Sequence, residues 1–306
     1  KIIVHLIYFF FKRNREKLKH IEANLILAVS LFFFIYVPTR IIYDHNVVSL
    51  RITEHKIKGL PENLNNFKIA FISDLQADRY TDEKRLSRFI NKVNETDADL
   101  VLIAGDVITS TPTYINTAAE YLGKINSKYG VYTCVGDHDN WAYREDTPRS
   151  IREITEALNN YKVKMLDNER LTLNINGNSI NITFITNTYV ESIQQDLLDS
   201  LSNHSSDSDL KIFLTHQPRE NLIQSAIKND YDLFLAGHTH GGQITFLFPF
   251  INLTPTLIET DFVEGDRNYG DMLAIVTRGL GMSLAPIRYN STPEVTLIVI
   301  NSDNSL

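Results

Sequence analysis

Acidic and imidazole side chains follow a series of short apolar runs, each at the point where the run ends. Asp74 follows the first run, Asp106 follows the second through Gly105, and later runs lead to further acidic and histidine residues. The candidate site residues of this kind are Asp74, Asp106, Asp137, His138, Asp139, His216, His238 and His240. Mixed carboxylate and imidazole ligands suit divalent ions such as manganese, zinc, iron or magnesium. Two such ions that share one carboxylate are one known arrangement for phosphoryl hydrolysis.

The elements that must position these side chains indicate an α/β domain. Apolar runs of strand length lie at residues 68–73, 100–104, 131–135, 211–215 and 233–236. Between them, apolar spacings of three and four predict helices at 82–94, 114–125, 150–158 and 220–228. We also expect a hairpin over 162–186, with one solvated face, and a closing strand over 295–300. In such sheets ligands bind beyond the carboxyl ends of the strands, so residues distant in sequence can meet there.

Each candidate residue also has a simpler interpretation. An Asp after a strand often caps the next helix, and a single His is more often structural than catalytic. We favour a shared site because five runs end in this way, and because neighbouring glycines let the backbone approach a ligand closely. Cys134 is the only cysteine in the sequence, which excludes a structural zinc site built from a cysteine cluster.

The composition limits the class of protein. The 306 residues are 43% apolar, which is enough for one well-packed enzyme domain. The net charge of −7 and the pI near 5.7 argue against a protein that coats nucleic acid, because phosphate backbones bind basic surfaces. We therefore expect no nucleic-acid partner, and no sequence feature predicts a protein partner.

The amino-terminal region predicts a membrane anchor. Residues 23–39 carry no charge and are just long enough to cross a bilayer, so we place a transmembrane helix at 23–43 and the main domain at 44–306. Residues 1–22 combine an apolar run with a basic loop, either the end of an earlier membrane helix or an interfacial helix. The alternatives for 23–43 are a buried core helix and a cleaved signal peptide. The basic loop predicts an extracytoplasmic domain.

The motifs together resemble the calcineurin-like metallophosphoesterase superfamily. The likeness is carried by Asp74-Leu75-Gln76, Gly105-Asp106, Gly136-Asp137-His138-Asp139, His216 and Gly237-His238-Thr239-His240-Gly241-Gly242-Gln243. The ending at 278–294 resembles the bacterial membrane-anchored branch, which implies the inner membrane. The resemblance implies a four-layer sandwich, in which two mixed β-sheets pack face to face with helices outside.

The resemblance also implies roles for individual residues. The implied metal ligands are Asp74, Gln76, Asp106, Asp137, His216, His238 and His240, with Asp106 shared by two ions. A hydroxide between the ions would attack phosphorus in line. His138, oriented by Asp139, would donate a proton to a phosphate oxygen or to the leaving group.

Two positions depart from the family pattern. The family usually has His where Gln76 stands and Asn where Asp137 stands. Both changes make the ligand set richer in oxygen, which favours manganese or magnesium over zinc, and we expect manganese. They also leave open a single-ion or non-catalytic descendant of the family.

The leading hypothesis is a membrane-anchored phosphoesterase that hydrolyses a phosphodiester or pyrophosphate bond in a small-molecule or lipid-linked substrate. One alternative is an enzyme like the UDP-2,3-diacylglucosamine pyrophosphatases of lipid A synthesis, although their nucleotide substrate lies in the cytoplasm. Another is a tethered protein that binds phosphorylated ligands without cleaving them. The apolar segment 246–257 has three interpretations, namely an acyl-chain groove, a membrane contact and part of the core.

Overall fold

The structure is a computed structural model that describes residues 15–203, 208–248 and 251–303. The chain divides into two compact units, Lys1–Tyr43 and Asp44–Leu306. Of the predicted segment 1–22, residues 1–14 lie outside the described part of the chain.

A long helix, α1 (Arg15–Asn46), contains the predicted anchor. Residues 15–22 of the basic segment belong to this helix and are not a loop. Between Glu16 and Asn46 the helix is long and apolar enough to cross a membrane. Large apolar side chains along it, such as Leu27 and Phe34, are exposed, which argues against the alternative of a buried core helix. That α1 spans a bilayer stays a prediction.

Two mixed sheets form the frame of the second unit. The first sheet contains, in spatial order, β1 (Ser49–Lys58), β14 (Glu294–Asp303), β2 (Phe67–Ile72), β3 (Leu100–Ile103), β4 (Val131–Cys134) and β5 (Val163–Leu166). The second contains β12 (Gly265–Tyr269), β13 (Met272–Val276), β9 (Leu233–Ala236), β8 (Leu210–Thr215), β7 (Asn178–Ile185) and β6 (Glu169–Ile175). In each sheet most neighbours are parallel, and the antiparallel pairs are β14 with β2, β12 with β13, and β6 with β7.

The helices cover the outer faces of these sheets. They are α2 (Glu83–Asn94), α3 (Ile115–Leu122), α4 (Thr147–Asn160), α5 (Gln195–Ser202) and α6 (Glu220–Lys228). A separate two-stranded ribbon is formed by β10 (Phe246–Phe248) and β11 (Ile251–Leu253).

Three hydrophobic cores separate four layers. The central core lies between the sheets, where Ile69 of β2 belongs to the same cluster as Ile182 of β7. On the outer face of the first sheet, Ile72 packs in a cluster with Phe89 of α2. A third cluster joins the second sheet to α5 and α6. Successive residues of β2 thus point into different cores, which is why its sequence is apolar throughout. The predicted four-layer α/β fold is confirmed.

Local sequence signals explain where several elements begin. Asp82 caps α2, because its side chain accepts a hydrogen bond from the backbone nitrogen of Arg85. Asp146 caps α4 through the nitrogen of Arg149 in the same way, so this helix starts at Thr147, before the predicted position.

The predicted hairpin is confirmed in part. β6 and β7 pair around a turn at Asn176 and Gly177, both of which have positive φ. However, Val163–Leu166 is strand β5 of the first sheet, where it pairs with β4, so the hairpin begins only at Glu169. The solvated face belongs to β6 alone, since β7 is buried from Ile180 onwards.

The carboxyl ends of the central strands of both sheets open at one edge of the sandwich. His216, directly after β8 of the second sheet, has its Nδ1 atom 2.6 Å from the carbonyl oxygen of Ala104, which follows β3 of the first sheet. The backbone nitrogen of Asp74 donates to the carbonyl of Gly105 at 3.0 Å. The loops that carry the candidate residues are therefore neighbours.

Candidate active site

Two groups of acidic and imidazole side chains lie close enough together to hold metal ions. Asp74, Asp106 and His216 form one group, and Asp137, His216 and His238 form the other. Within each group the ligand atoms lie within 4.8 Å of one another. Nε2 of His216 lies 3.4 Å from Oδ2 of Asp106 and 3.2 Å from Oδ2 of Asp137. Residues that follow five different strands therefore meet at one place.

The two remaining predicted ligands join the same cluster. Nε2 of His240 lies 3.4 Å from Oδ1 of Asp74. The side-chain amide of Gln76 donates to Oδ2 of Asp106 at 2.7 Å. The structure thus brings together all seven side chains that were predicted as metal ligands.

The backbone at this cluster is held in a conformation that is rare for residues other than glycine. The residues with positive φ, between 51° and 71°, are Asp74, Gln76, Asp106, His238 and His240. Such residues concentrate at functional sites, where the surrounding structure compensates for their cost. Gly136 shows how tightly the loops pack, since a Cβ there would lie 2.2 Å from the backbone nitrogen of Asp106.

Three atoms in the cluster are buried and have no hydrogen-bond partner among the described residues. They are Oδ1 of Asp74, Oε1 of Gln76 and Nε2 of His216. The Nδ1 atom of His216 faces a carbonyl oxygen, which can only accept, so Nδ1 carries the proton and the neutral ring offers its lone pair at Nε2. Buried polar atoms are nearly always paired, and three unpaired acceptors in one place fit a cation.

The electrostatics of the cluster also favour a cation. Burial raises the pKa of Asp106 to about 7, and the charges of Asp74 and Asp137 act in the same direction. Burial opposes ionisation of Asp137 too, but the adjacent imidazoles of His216 and His238 lower its pKa. Burial lowers the pKa of His240 to about 3, so this imidazole is neutral at pH 7. Crowded carboxylates beside a neutral imidazole form a divalent ligand set.

His138 lines the site, but a different group orients it from the one predicted. Its Nδ1 lies 2.5 Å from the carbonyl oxygen of Thr109, and its Nε2 lies 3.1 Å from Oγ of Ser283. The prediction that Asp139 orients this ring is therefore wrong. A carbonyl only accepts, so Nδ1 of His138 carries the proton. The ring also meets Trp141 edge to face, with 4.7 Å between centroids.

The carboxylate of Asp139 instead organises the backbone. It accepts hydrogen bonds from the nitrogens of Asp106, Val107 and Gly136, at 2.8–3.0 Å. These three donors belong to the loops after β3 and β4, which carry two of the ligands. Burial raises the pKa of Asp139 to about 6. Its contacts favour a structural role, not contact with the reacting atoms.

A comparison of the sequence with known families identifies the domain. The profile of the family described as calcineurin-like phosphoesterase matches residues 67–242, which is more than half of the chain. This chain belongs to the calcineurin-like phosphoesterase family. The superfamily prediction is therefore confirmed, as is the prediction of a hydrolase that acts on phosphate esters with the help of metal ions. Calcineurin-like phosphoesterases use a dimetal site, and the two ligand groups supply candidates for it.

Individual relatives agree with the family. A Bacillus subtilis (strain 168) protein named uncharacterized metallophosphoesterase YkuE is 31% identical over 263 residues, covering 82% of this chain and 86% of the relative. A Danio rerio protein named transmembrane protein with metallophosphoesterase domain is 28% identical, over 91% of this chain and 62% of its own length. Among solved structures, the Thermus thermophilus protein TT1561 covers 71% of this chain and 91% of its own, with 13% identity and a TM-score of 0.46, which is too low to bear on function.

The phosphoesterase site contains residues that sequence reasoning missed. Nε2 of His238 lies 2.9 Å from the Glu259 carboxylate, which also accepts the hydroxyl of Tyr189 at 2.6 Å. Glu259 lies beyond the range that matches the family. It is the first charged residue after the charge-free stretch 241–258, and this isolation is its only signal in the sequence. Asp137 is held by the amide of Gln217, at 2.9 Å from both carboxylate oxygens.

Arg288 lies in the core and supports the phosphoesterase site beside His240. It is fully buried and donates to the carbonyl oxygens of Gly281 and Ser291, and its guanidinium lies 3.3 Å from Nδ1 of His240. Burial lowers its pKa to about 9, which still leaves it charged at pH 7. Its charge helps to keep the pKa of His240 low.

A cavity of about 330 Å³ opens over the ligands. Its floor includes Asp106, His138 and His238, and its walls include the apolar side chains of Pro255 and Leu284. A neighbouring pocket of about 560 Å³ shares His138 and Leu284 with it. The site can therefore receive a phosphate group at the ligands together with an organic substituent against the walls.

Proposed function

We propose that this chain is a phosphodiesterase or pyrophosphatase with two divalent ions. The observation that carries the proposal is the pair of ligand groups that share His216, whose Nε2 lies 3.4 Å from Asp106 and 3.2 Å from Asp137. One ion would be held by Asp74, Gln76, Asp106 and His240, and the other by Asp106, Asp137, His216 and His238. When bound, the ions supply Lewis-acid activation and neutralise phosphate charge.

His138 is the proposed proton donor. It lines the cavity beside the ligands, and its ring is fixed by Thr109 and Ser283. Burial lowers its pKa, so Nε2 would gain a proton only when the negative charge of a bound phosphate favours the charged ring. With Nδ1 held by a carbonyl, Nε2 is the atom that can exchange a proton with a phosphate oxygen or a leaving group in the cavity.

Manganese is the proposed ion. Gln76 supplies an amide oxygen and Asp137 a carboxylate, so the ligand set contains more oxygen than the family pattern. The Asp137 carboxylate is well supported, because it accepts hydrogen bonds from Gln217 and from the backbone nitrogen of Tyr189. This support favours an intact second site over a degenerate one.

The proposed setting is a membrane. The apolar helix α1 and the relative named as a transmembrane protein support anchoring. Because basic residues precede the apolar run, we place the domain outside the cytoplasm of a bacterial inner membrane, and we propose a lipid-linked phosphate ester as substrate. A periplasmic reporter fused at the carboxyl terminus should be active; an active cytoplasmic reporter would instead favour a nucleotide-linked lipid.

Turnover of a chromogenic phosphodiester tests the enzyme proposal. The full chain in detergent, supplied with manganese, should hydrolyse bis(4-nitrophenyl) phosphate. Asp106→Asn and His216→Ala should each lower the rate at least about a hundredfold, while Asp167→Asn, in an exposed loop, should leave it unchanged. If the folded wild-type chain shows no turnover with any of the divalent ions tested, the result would favour a protein that binds phosphate without cleaving it.

A further inference from the structure

The ribbon formed by β10 and β11 exposes an apolar face. In its register Phe246 pairs with Leu253 and Phe248 pairs with Ile251, so these four side chains lie on the same face. Each is between 43% and 53% exposed. On the opposite face Leu247 is also exposed and pairs with Asn252.

This pattern differs from that of an ordinary surface hairpin, which has one apolar face packed on a core and one polar face in water. Here the apolar face is largely uncovered. Among the aromatic rings of the described residues, Tyr289 contacts Phe246, with 5.9 Å between the ring centroids. The stretch 241–258 contains no charged residue. Exposed apolar clusters of this kind mark an interaction surface.

The ribbon is joined directly to the mouth of the catalytic cavity. Thr254, the residue after β11, donates to the carbonyl oxygen of Gly242 at 2.7 Å. The next residue, Pro255, lines the cavity, and so does Leu284, whose side chain is fully exposed. A surface that binds the ribbon would therefore lie beside the mouth of the cavity.

We propose that the ribbon inserts into the interfacial layer of a lipid bilayer and places the cavity mouth at the membrane surface. A bilayer is favoured over other occupants because the same chain carries α1, which is apolar and long enough to hold the domain beside one. The absence of charge over 241–258 suits the acyl boundary, and it predicts docking that does not depend on anionic lipid. The inference rests on the proposed membrane setting but does not depend on catalysis.

Depth-dependent quenching tests the inference with the full chain. Leu247→Cys is labelled with an environment-sensitive fluorophore, and Cys134 does not compete because it is buried. The protein is reconstituted in phosphatidylcholine vesicles with a fraction of lipid that carries a nitroxide near the headgroup. We expect strong quenching at position 247, equal in neutral vesicles and in vesicles with anionic lipid.

Asp271→Cys provides the matched control. Asp271 is exposed in the turn between β12 and β13. Because β13 runs parallel to β9, this turn lies beside the amino end of β9, whereas the site lies beyond its carboxyl end. A label there should stay unquenched. Ile251→Cys gives a second probe on the other face of the ribbon, should the first variant fold poorly.

Two results would overturn the inference. The first is a label at 247 or 251 that stays as unquenched as the label at 271 in a folded, reconstituted sample. The second is a blue shift of the label's emission that occurs without nitroxide quenching and only at a high protein-to-lipid ratio, since this would assign the ribbon to a contact between two copies of the chain.

Discussion

Glu259 holds the imidazole of His238, with 2.9 Å between its Oε2 and Nε2 of the ring. The Nδ1 atom on the other side of the ring faces Asp137, at 2.8 Å. The hydrogen bond with His238 lowers the pKa of Glu259 to about 2, so the carboxylate is ionised at pH 7. A carboxylate that fixes the outer nitrogen of a ligand imidazole sets its tautomer and raises its basicity.

We predict that Glu259→Gln weakens manganese binding about tenfold, because such outer partners usually contribute this much to metal affinity. Calorimetric titration of the metal-free chain with manganese measures the effect without relying on turnover. Glu264→Gln is the control: its side chain is equally exposed but lies 3.5 Å from Arg278 instead. Equal manganese affinities in the two variants would show that Glu259 does not support metal binding.

Asp139→Ala tests whether this carboxylate supports the fold. The change leaves three buried backbone N–H groups without their acceptor, at a cost of about 1–3 kcal/mol each, so we expect a loss of at least roughly 3 kcal/mol in unfolding free energy. Denaturant unfolding measures it. Asp146→Ala, which removes only the cap of α4, should cost about 1 kcal/mol. Native stability together with lost turnover would instead make Asp139 a catalytic residue.

The sequence predicted the central strands well, because residues buried on both faces leave continuous apolar runs. β2 and β8 are examples. β1 and β12 were missed because they lie at the edges of their sheets and alternate between partly buried and exposed residues. β13 has the same apolar signal as the strands that were predicted, and it was also missed.

The ligands were predictable for a related reason, since their types and their positions after strands are visible in the sequence. The supporting contacts were not. Asp139 was misassigned because a carboxylate that accepts backbone N–H groups looks the same in sequence as one that faces an imidazole. Glu259 was missed because its distance from His238 along the chain follows no pattern, and only the loop that carries it brings the two together.

Gln76→His should shift metal preference toward zinc. The Gln76 side chain is buried with an unpaired oxygen in the cluster, and imidazole is the better zinc ligand. We expect the zinc-to-manganese affinity ratio to rise at least about tenfold in competition titrations. The control, Gln224→His, makes the same change on the exposed face of α6. A ratio that matches this control would show that residue 76 does not contact an ion.

Asp232 should make stability depend on pH. It accepts the backbone N–H of Lys211 at 2.7 Å, and burial raises its pKa from 3.8 to about 6. The folded state therefore binds this proton more tightly, so the stabilisation is complete below about pH 4 and is lost as pH rises through about 6.

The variant Asp232→Asn should lack this dependence. Between pH 5 and pH 7.5 it should gain roughly 1 kcal/mol of unfolding free energy relative to wild type. Urea unfolding of the solubilised chain at the two pH values measures the difference. Asp230→Asn, at an exposed neighbouring position, should follow wild type. Parallel pH profiles for wild type and Asp232→Asn would contradict the assignment.

The number of ions bound per chain tests the central claim most directly. The metal-free full chain is saturated with manganese, freed of excess ion and analysed for metal content against protein concentration. The two ligand groups, which share His216, predict two ions per chain. Because Asp106 is the proposed shared ligand, Asp106→Asn should reduce occupancy of both positions. A folded wild-type chain that binds one ion or none at saturation would contradict the account.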